Sequence, residues 1–307
     1  MSEPNFSYAD PTMPAVKRGL IRMVEAATGQ RRLKRIYAAR RPEIAQGRPV
    51  FTAAIEGLAL DVRHDAEALA RVPATGPLVV VANHPYGVLD GIAISWLVGQ
   101  VRSDFAVLTH AALTHLPEVR PHMLPVDFSA TPEAAKTNLR SRAEAHRLLA
   151  AGGCVVVFPA GGISTAPDRL GRRPAVDAPW QPFTAQLIQR SRATVLPIRF
   201  DGQNSRLFQI ASHINPALRL SLIFHEVHRR IGTSLTVAIG RPIPYGELPS
   251  AEAGRQTVMR FLRETTESLA FPSPPAGRGG ERRRAMRLPF RDADIGLPFA
   301  KGRREAA

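Results

Sequence analysis

The sequence predicts an α/β domain built on a mostly parallel sheet flanked by helices, and three observations carry that prediction. From residue 78 onward, apolar runs of strand length alternate with longer segments of helical periodicity. Runs such as 78–82 and 154–158 are rich in valine and lack polar alternation, as strands buried on both faces of a parallel sheet do. The chain has 307 residues, enough for one large α/β domain or two small ones.

Taken in order, residues 1–13 are polar and proline-containing and are expected to form a disordered leader. Residues 14–41 carry Val16, Leu20 and Val24, then Leu33, Ile36 and Tyr37, at helical spacings, with Lys17, Arg18, Arg22, Arg31, Arg32, Lys34 and Arg35 between them. A basic amphipathic helix of this kind can lie in a bilayer interface, or can pack on a domain with a solvated charged face; the pattern allows both. We assign 14–54 to this helical segment and 55–271 to the main domain. Strands are expected at 78–82, 105–109, 123–126, 154–158, 194–200 and 234–239. Helices are expected at 91–101, at 132–150 with Thr131 as N-cap, at 181–190 and at 252–270. No internal repeat is present. Residues 272–307 are rich in Pro, Gly and Arg, too poor in apolar groups to bury a core, and are expected to form a disordered basic tail.

The formal net charge of +15 calls for a polyanionic partner, such as nucleic acid, an anionic bilayer or an acidic substrate. It is concentrated at the ends. Residues 1–41 carry +6 and residues 276–307 carry +5, which leaves +4 on the 234 residues between them. That distribution, with no interleaving of aromatic and basic residues, argues against a nucleic-acid-binding protein. A single cysteine, Cys154, excludes an internal disulfide and any metal site built on several thiolates. No apolar run reaches the roughly 18–20 residues that span a bilayer, and no secretory signal is visible. The expected location is the cytoplasmic side of the inner membrane, bound peripherally.

The stretch from Ala82 to Gly91 is the most informative. His84 falls beyond the carboxyl end of a predicted parallel strand, where α/β sheets place their ligand sites. Asp90 falls at the start of the following helix, which favours its ionised form. Pro85 and Gly87 let the loop between them bend back. A histidine paired with a carboxylate suits general-base chemistry: neutral imidazole takes a proton, and the carboxylate fixes its tautomer and stabilises the imidazolium. The alternative is a helix cap at Asp90 and an ordinary turn histidine.

Other residues offer further candidates. Gly161 and Gly162 can bring backbone N–H groups to an anion or a developing oxyanion, or can serve only their turn. Arg169, Arg172 and Arg173, in a loop after a strand, can hold a phosphate or carboxylate, or can be solvated. Ser164 lacks the Gly-x-Ser-x-Gly setting of a serine nucleophile. His110, His115 and His122 have no acidic partner at metal-site spacing, so no metal is expected. His225 and His228, flanking Glu226, read as a solvated helix face, and Trp96 and Trp180 as core or interfacial anchors. The absence of a Walker loop and of Gly-x-Gly-x-x-Gly argues against a nucleotide cofactor.

Asn83-His84 followed by Asp90 resembles the first motif of the phospholipid/glycerol acyltransferase family. The family usually has four residues between His and Asp, and this chain has five, which is similar to a bacterial branch of lysophospholipid, hemolysin-like and lyso-ornithine-lipid acyltransferases. Phe158-Pro159-Ala160-Gly161-Gly162-Ile163-Ser164 resembles the family's Phe-Pro-Glu-Gly-Thr-Arg-Ser block, Val195-Leu196-Pro197-Ile198 its Val-Pro-Val block, and Gly202-Gln203-Asn204-Ser205 a feature of the hemolysin-like branch. Met123-Leu124-Pro125-Val126-Asp127 falls where the family has a strand followed by Asp-Arg. The likeness covers residues 55–245. It implies a glycerol-phosphate-acyltransferase-like fold and transfer of a fatty acyl group from acyl-CoA or acyl carrier protein to a hydroxyl of a lysophospholipid or related lyso-lipid. It also implies His84 and Asp90 as the catalytic pair, and a substrate-binding set drawn from Asn83, Gly161, Gly162, Ser164, Arg169, Arg172 and Arg173. A hydrolase or thioesterase using the same pair is the alternative. Ala160 and Ile163 replace the Glu and Arg that hold an acceptor phosphate in the family, which points to another head group or another source of positive charge.

Overall fold

The computed structural model describes residues 15–27, 29–110, 116–127, 129 and 131–273. The expected leader, most of the expected tail and His115 lie outside them. Seven strands form one sheet: β1 (Asp61–Arg63), β2 (Leu78–Ala82), β3 (Phe105–His110), β4 (Met123–Val126), β5 (Cys154–Val157), β6 (Thr194–Phe200) and β7 (Ser234–Ile239), in the order β1-β7-β6-β2-β5-β3-β4. Strands β6, β2, β5, β3 and β4 are parallel. β7 runs antiparallel to β6, and β1 pairs in parallel with β7. The sheet is thus mostly parallel, as expected, with a reversed edge of two strands.

Side-chain alternation along the buried strands feeds two cores. Leu78, Val80 and Ala82 of β2 join Cys154, Val156, Leu196 and Ile198 on one face. Helix α5 (Val88–Gly99) covers that face with α2 (Gln30–Ala45), α3 (Val50–Gly57) and α8 (Arg206–Ile214). Val79 and Val81 join Val155, Val157 and Val195 on the other face, under α6 (Pro132–Ala150), α7 (Pro182–Ser191) and α11 (Arg255–Glu267). Burial on both faces is why these strands read as continuous apolar runs. Thr131 caps α6 as expected, its hydroxyl accepting from the Ala134 N–H at 3.1 Å.

Several expectations are corrected. The helix expected over 14–41 is two helices, α1 (Ala15–Ala27) and α2. Gly29, in the left-handed region at φ 106°, separates them, and a Cβ there would meet the His228 side chain at 2.8 Å. α1 packs on α9 (Pro216–Ser221), and α2 packs on α3 and on α10 (Ile223–Arg230). Ile21 and Leu33 are buried, whereas Val16, Arg22, Met23 and Arg31 are exposed. α4 (Ala66–Ala70), α8 and α9 were not expected, whereas α10 lies where His225, Glu226 and His228 read as a helix face; each is short, and Asn215-Pro216 interrupts the run 206–230 so that no long period develops. α3 spans the boundary expected at residue 54. α5 starts at Val88, which places Asp90 in its third position rather than its first.

At the amino ends of the strands, Arg102 is buried and ties three segments together. Its guanidinium bonds the Asp104 carboxylate at 2.7 and 2.9 Å and donates to the carbonyls of Pro73, Gly76 and Gly152. These segments lead into β2, β3 and β5. Arg102→Met leaves that network without its donors and is expected to cost about 3 kcal/mol in urea unfolding. A loss under half of that would show that the strand starts hold without it.

Candidate active site

β2 ends at Ala82, and the loop that follows is tied to its neighbours by backbone and side-chain bonds. Asn83 donates through Nδ2 to the Phe200 carbonyl at 2.9 Å and accepts from the Phe200 N–H at 2.7 Å, clamping the loop to the end of β6. Tyr86 and Gly87 turn their N–H groups onto Asp90 Oδ2 at 2.8 and 2.9 Å. Gly87 is the N-cap of α5 at φ 76°, and a Cβ on it would fall 2.6 Å from Ile163 Cδ1. Backbone geometry and space both require glycine there.

His84 and Asp90 meet: Nδ1 lies 3.1 Å from Oδ2. Asp90 has no exposed side-chain surface and His84 retains 17%. The Nδ1–H direction is not aligned on Oδ2, so the contact is a close pair that a small ring rotation would turn into a hydrogen bond. Phe158 stacks on the imidazole, ring centroids 4.0 Å apart. Burial pushes the Asp90 carboxyl above the ordinary range, while His84 and the Tyr86 and Gly87 amides pull the other way. Asp90 thus caps its helix and also contacts the histidine.

The Phe158–Ser164 stretch is fastened beside this loop. Ser164 donates its N–H to the His84 carbonyl at 2.8 Å and its hydroxyl to Asp177 Oδ1 at 2.5 Å. The same Oδ1 accepts from the His84 N–H at 3.2 Å, and Asp177 Oδ2 accepts from Trp180 Nε1 at 3.0 Å. Asp177 is therefore the hub of the loop, which sequence reasoning missed; the available signal was an acid three residues before a core tryptophan. Ser164 is a buried strut. Gly161 serves a turn, its N–H donating to the Phe158 carbonyl at 3.0 Å. Gly162 is exposed beside open space, and its N–H has no backbone acceptor among the described residues.

Arg169, Arg172 and Arg173 are exposed, and no hydrogen bond or ion pair joins them to the His84 loop among the described residues. Asp168 gathers the backbone N–H groups of Arg172 and Arg173, which shapes the loop and leaves their side chains to solvent. Two other arginines reach the site. Arg230 donates to the Tyr86 hydroxyl and lies over its ring at 4.3 Å; burial raises that phenol to about 12. Arg219, on α9, donates through Nη2 to the Ile163 carbonyl and lies 5.5 Å from the Phe208 ring. Sequence reasoning found neither: Arg219 lies on α9, too short to show a period, and Arg230 ends α10, which read as a solvated face.

The remaining candidates separate. Gly202, at φ 89°, passes so close to Tyr86 that a Cβ would lie 2.0 Å from the hydroxyl oxygen. Glu226 is buried rather than on a solvated face, because Ser205 donates to it through both N–H (2.9 Å) and hydroxyl (2.5 Å). His110 ends β3, whereas His122 stacks on Phe105 at the start of that strand, so the two histidines cannot share a ligand. Trp180 is core, and Trp96 packs edge-on to His64.

Comparison with known proteins adds four findings. The family model described as Acyltransferase matches residues 47–271. A lyso-glycine lipid O-acyltransferase of Phocaeicola vulgatus is 27% identical over 222 residues, 68% of this chain and 74% of that protein. One of Bacteroides thetaiotaomicron is 25% identical over 199 residues, covering 61% and 68%. Among solved structures, the 1-acyl-sn-glycerophosphate acyltransferase PlsC of Thermotoga maritima overlaps 83% of both chains at 17% identity with a TM-score of 0.42.

Asp177→Ala leaves three donors without their acceptor. It is expected to cost about 3 kcal/mol in stability and to change the fluorescence of Trp180. An unaltered unfolding midpoint would show that the loop is held by other contacts.

Proposed function

The chain belongs to the acyltransferase family, and we propose that it moves a fatty acyl group from a thioester to a hydroxyl of a lysophospholipid or related lyso-lipid, with His84 as the base and Asp90 as its orienting carboxylate. The observation that carries the reading is the 3.1 Å approach of His84 Nδ1 to a fully buried Asp90, at the carboxyl ends of parallel strands. The relatives named above are O-acyltransferases of a lyso-lipid. With Nδ1–H turned to Asp90, Nε2 is the nitrogen that takes the acceptor's hydroxyl proton. The alkoxide oxygen bonds to the thioester carbon, and the oxyanion that forms has the Gly162 N–H as a candidate donor. The C–S bond then breaks, and the leaving thiolate takes the proton from the imidazolium. No acyl-enzyme is required, since the thioester is already activated. The donor, on coenzyme A or acyl carrier protein, is a substrate, and no further cofactor enters.

His84→Ala should lower kcat by about 10³-fold or more, and Asp90→Asn by about 10²- to 10⁴-fold, with circular dichroism unchanged. Acylated lipid and released fatty acid are measured side by side. Near-normal transfer by His84→Ala overturns the base assignment, and wild-type release of free fatty acid without acylated lipid makes the site a thioesterase.

An acceptor of this kind resides in a bilayer. Among the described residues no helix is long and apolar enough to cross one. The exposed Arg22 and Arg31, with Val16 and Met23, give α1 and the start of α2 the character of a surface that meets anionic lipid from the cytoplasmic side. Replacing Arg22 and Arg31 by glutamine should weaken sedimentation with anionic vesicles by about fivefold per charge at low salt. Equal binding by the variant would remove this face from membrane contact.

A further inference from the structure

The altered second block leaves the acceptor's head group without an anchor, since Ala160 and Ile163 stand where the family resemblance places Glu and Arg. The fold brings a guanidinium to that place from elsewhere in the chain. Arg219 projects from α9 and donates to the carbonyl of Ile163 itself. Ile163 packs against Gly87 of the His84–Asp90 loop, and the next residue, Ser164, donates to the His84 carbonyl at 2.8 Å. The guanidinium is therefore fastened one residue away from the strut that holds the proposed base.

Its electrostatic position is unusual. Arg219 is half-buried and makes no ion pair with an acidic side chain among the described residues. Arginine keeps its charge at any physiological pH, so a cation is held partly out of water without a counter-charge, a costly arrangement unless an anion joins it. Only one Arg219 nitrogen bonds the Ile163 carbonyl, and Phe208 lies beside the guanidinium at 5.5 Å. The donors left over on a planar fork suit a carboxylate or a phosphate.

We propose that Arg219 binds the anionic head group of the acceptor, a carboxylate or a phosphate, and so sets which lyso-lipids the enzyme accepts. The inference rests on the acyl-transfer reading. It differs from a purely structural role, in which Arg219 only braces the Ile163 carbonyl.

The test compares acceptors on the same purified full-length protein, with acyl-CoA and acyl carrier protein donors run in parallel. The acceptors are an N-(hydroxyacyl)glycine, its neutral methyl ester and a lysophosphatidate. Wild type should favour an anionic acceptor over the ester, and the preference between the first and third tells carboxylate from phosphate. Arg219→Met should raise KM for the favoured anionic acceptor by about tenfold or more, with little change in kcat or in turnover of the ester. Arg219→Lys, which keeps charge and loses the fork, should fall between them, and its acid-to-ester ratio decides the matter if the methionine variant does not fold. Equal slowing of acid and ester in the variants, or a wild type indifferent to esterification, overturns the proposal. A wild type that acylates none of the three fails before any variant is made; that outcome removes the acyl-transfer reading and Arg219's role with it.

Discussion

A carboxylate with no exposed surface is the constraint around which the site is organised. Asp90 is held by two backbone amides, with the His84 imidazole 3.1 Å away, and one of its oxygens has no partner among the described residues. A buried charge so sparsely compensated is costly, and the surrounding chain is shaped to supply what compensation there is. The Tyr86 and Gly87 amides point inward only because the loop turns through a positive φ at Gly87, and Ile163 fills the space a side chain would need. Asn83 fixes the start of that turn on β6, and Asp177 fixes its flank through Ser164 and the His84 N–H. His84 is therefore placed by bonds to its own backbone from two sides and by Phe158 against its ring.

The two ends of the sheet divide the work. At the amino ends, Arg102 gathers three carbonyls and a carboxylate, polar groups that would otherwise be stranded where β2, β3 and β5 begin. At the carboxyl ends polar groups without a partner among the described residues remain: the second oxygen of Asp90, the N–H of Gly162 and most of the Arg219 fork. The five-residue spacing between His84 and Asp90 fits this arrangement, since Tyr86 and Gly87 occupy the loop as the donors Asp90 requires.

How much of this was legible in the sequence depended on the length of the signal. The runs 78–82, 154–158 and 194–200 are buried on both faces, and their continuous apolar character located the central sheet. His84 and Asp90 were legible because a strand end, a proline and a glycine bracket them within a few residues. What comes from tertiary structure was not legible. Helices α8 and α9, between β6 and the reversed β7, are too short to show a period, and Arg219, Glu226 and Arg230 come from α9 and α10. Asp177 reads as one acid in a proline-rich loop until its three donors are seen. Arg169, Arg172 and Arg173 drew attention as a cluster, yet exposed charge on a loop is where arginine is inexpensive, and the arginines that bond to the Tyr86 hydroxyl and the Ile163 carbonyl are the half-buried Arg230 and Arg219.

In the acyl-transfer function proposed above, Asp90 fixes the His84 ring so that Nε2 is free to take a proton. The most direct measurement is the long-range ¹H–¹⁵N correlation spectrum of histidine-labelled protein at neutral pH, with His84 assigned by difference from His84→Gln. The expected spectrum shows a His84 ring protonated at Nδ1 and bare at Nε2. A ring protonated at Nε2 would leave the proposed base occupied and would rule it out as the group that takes the acceptor's proton.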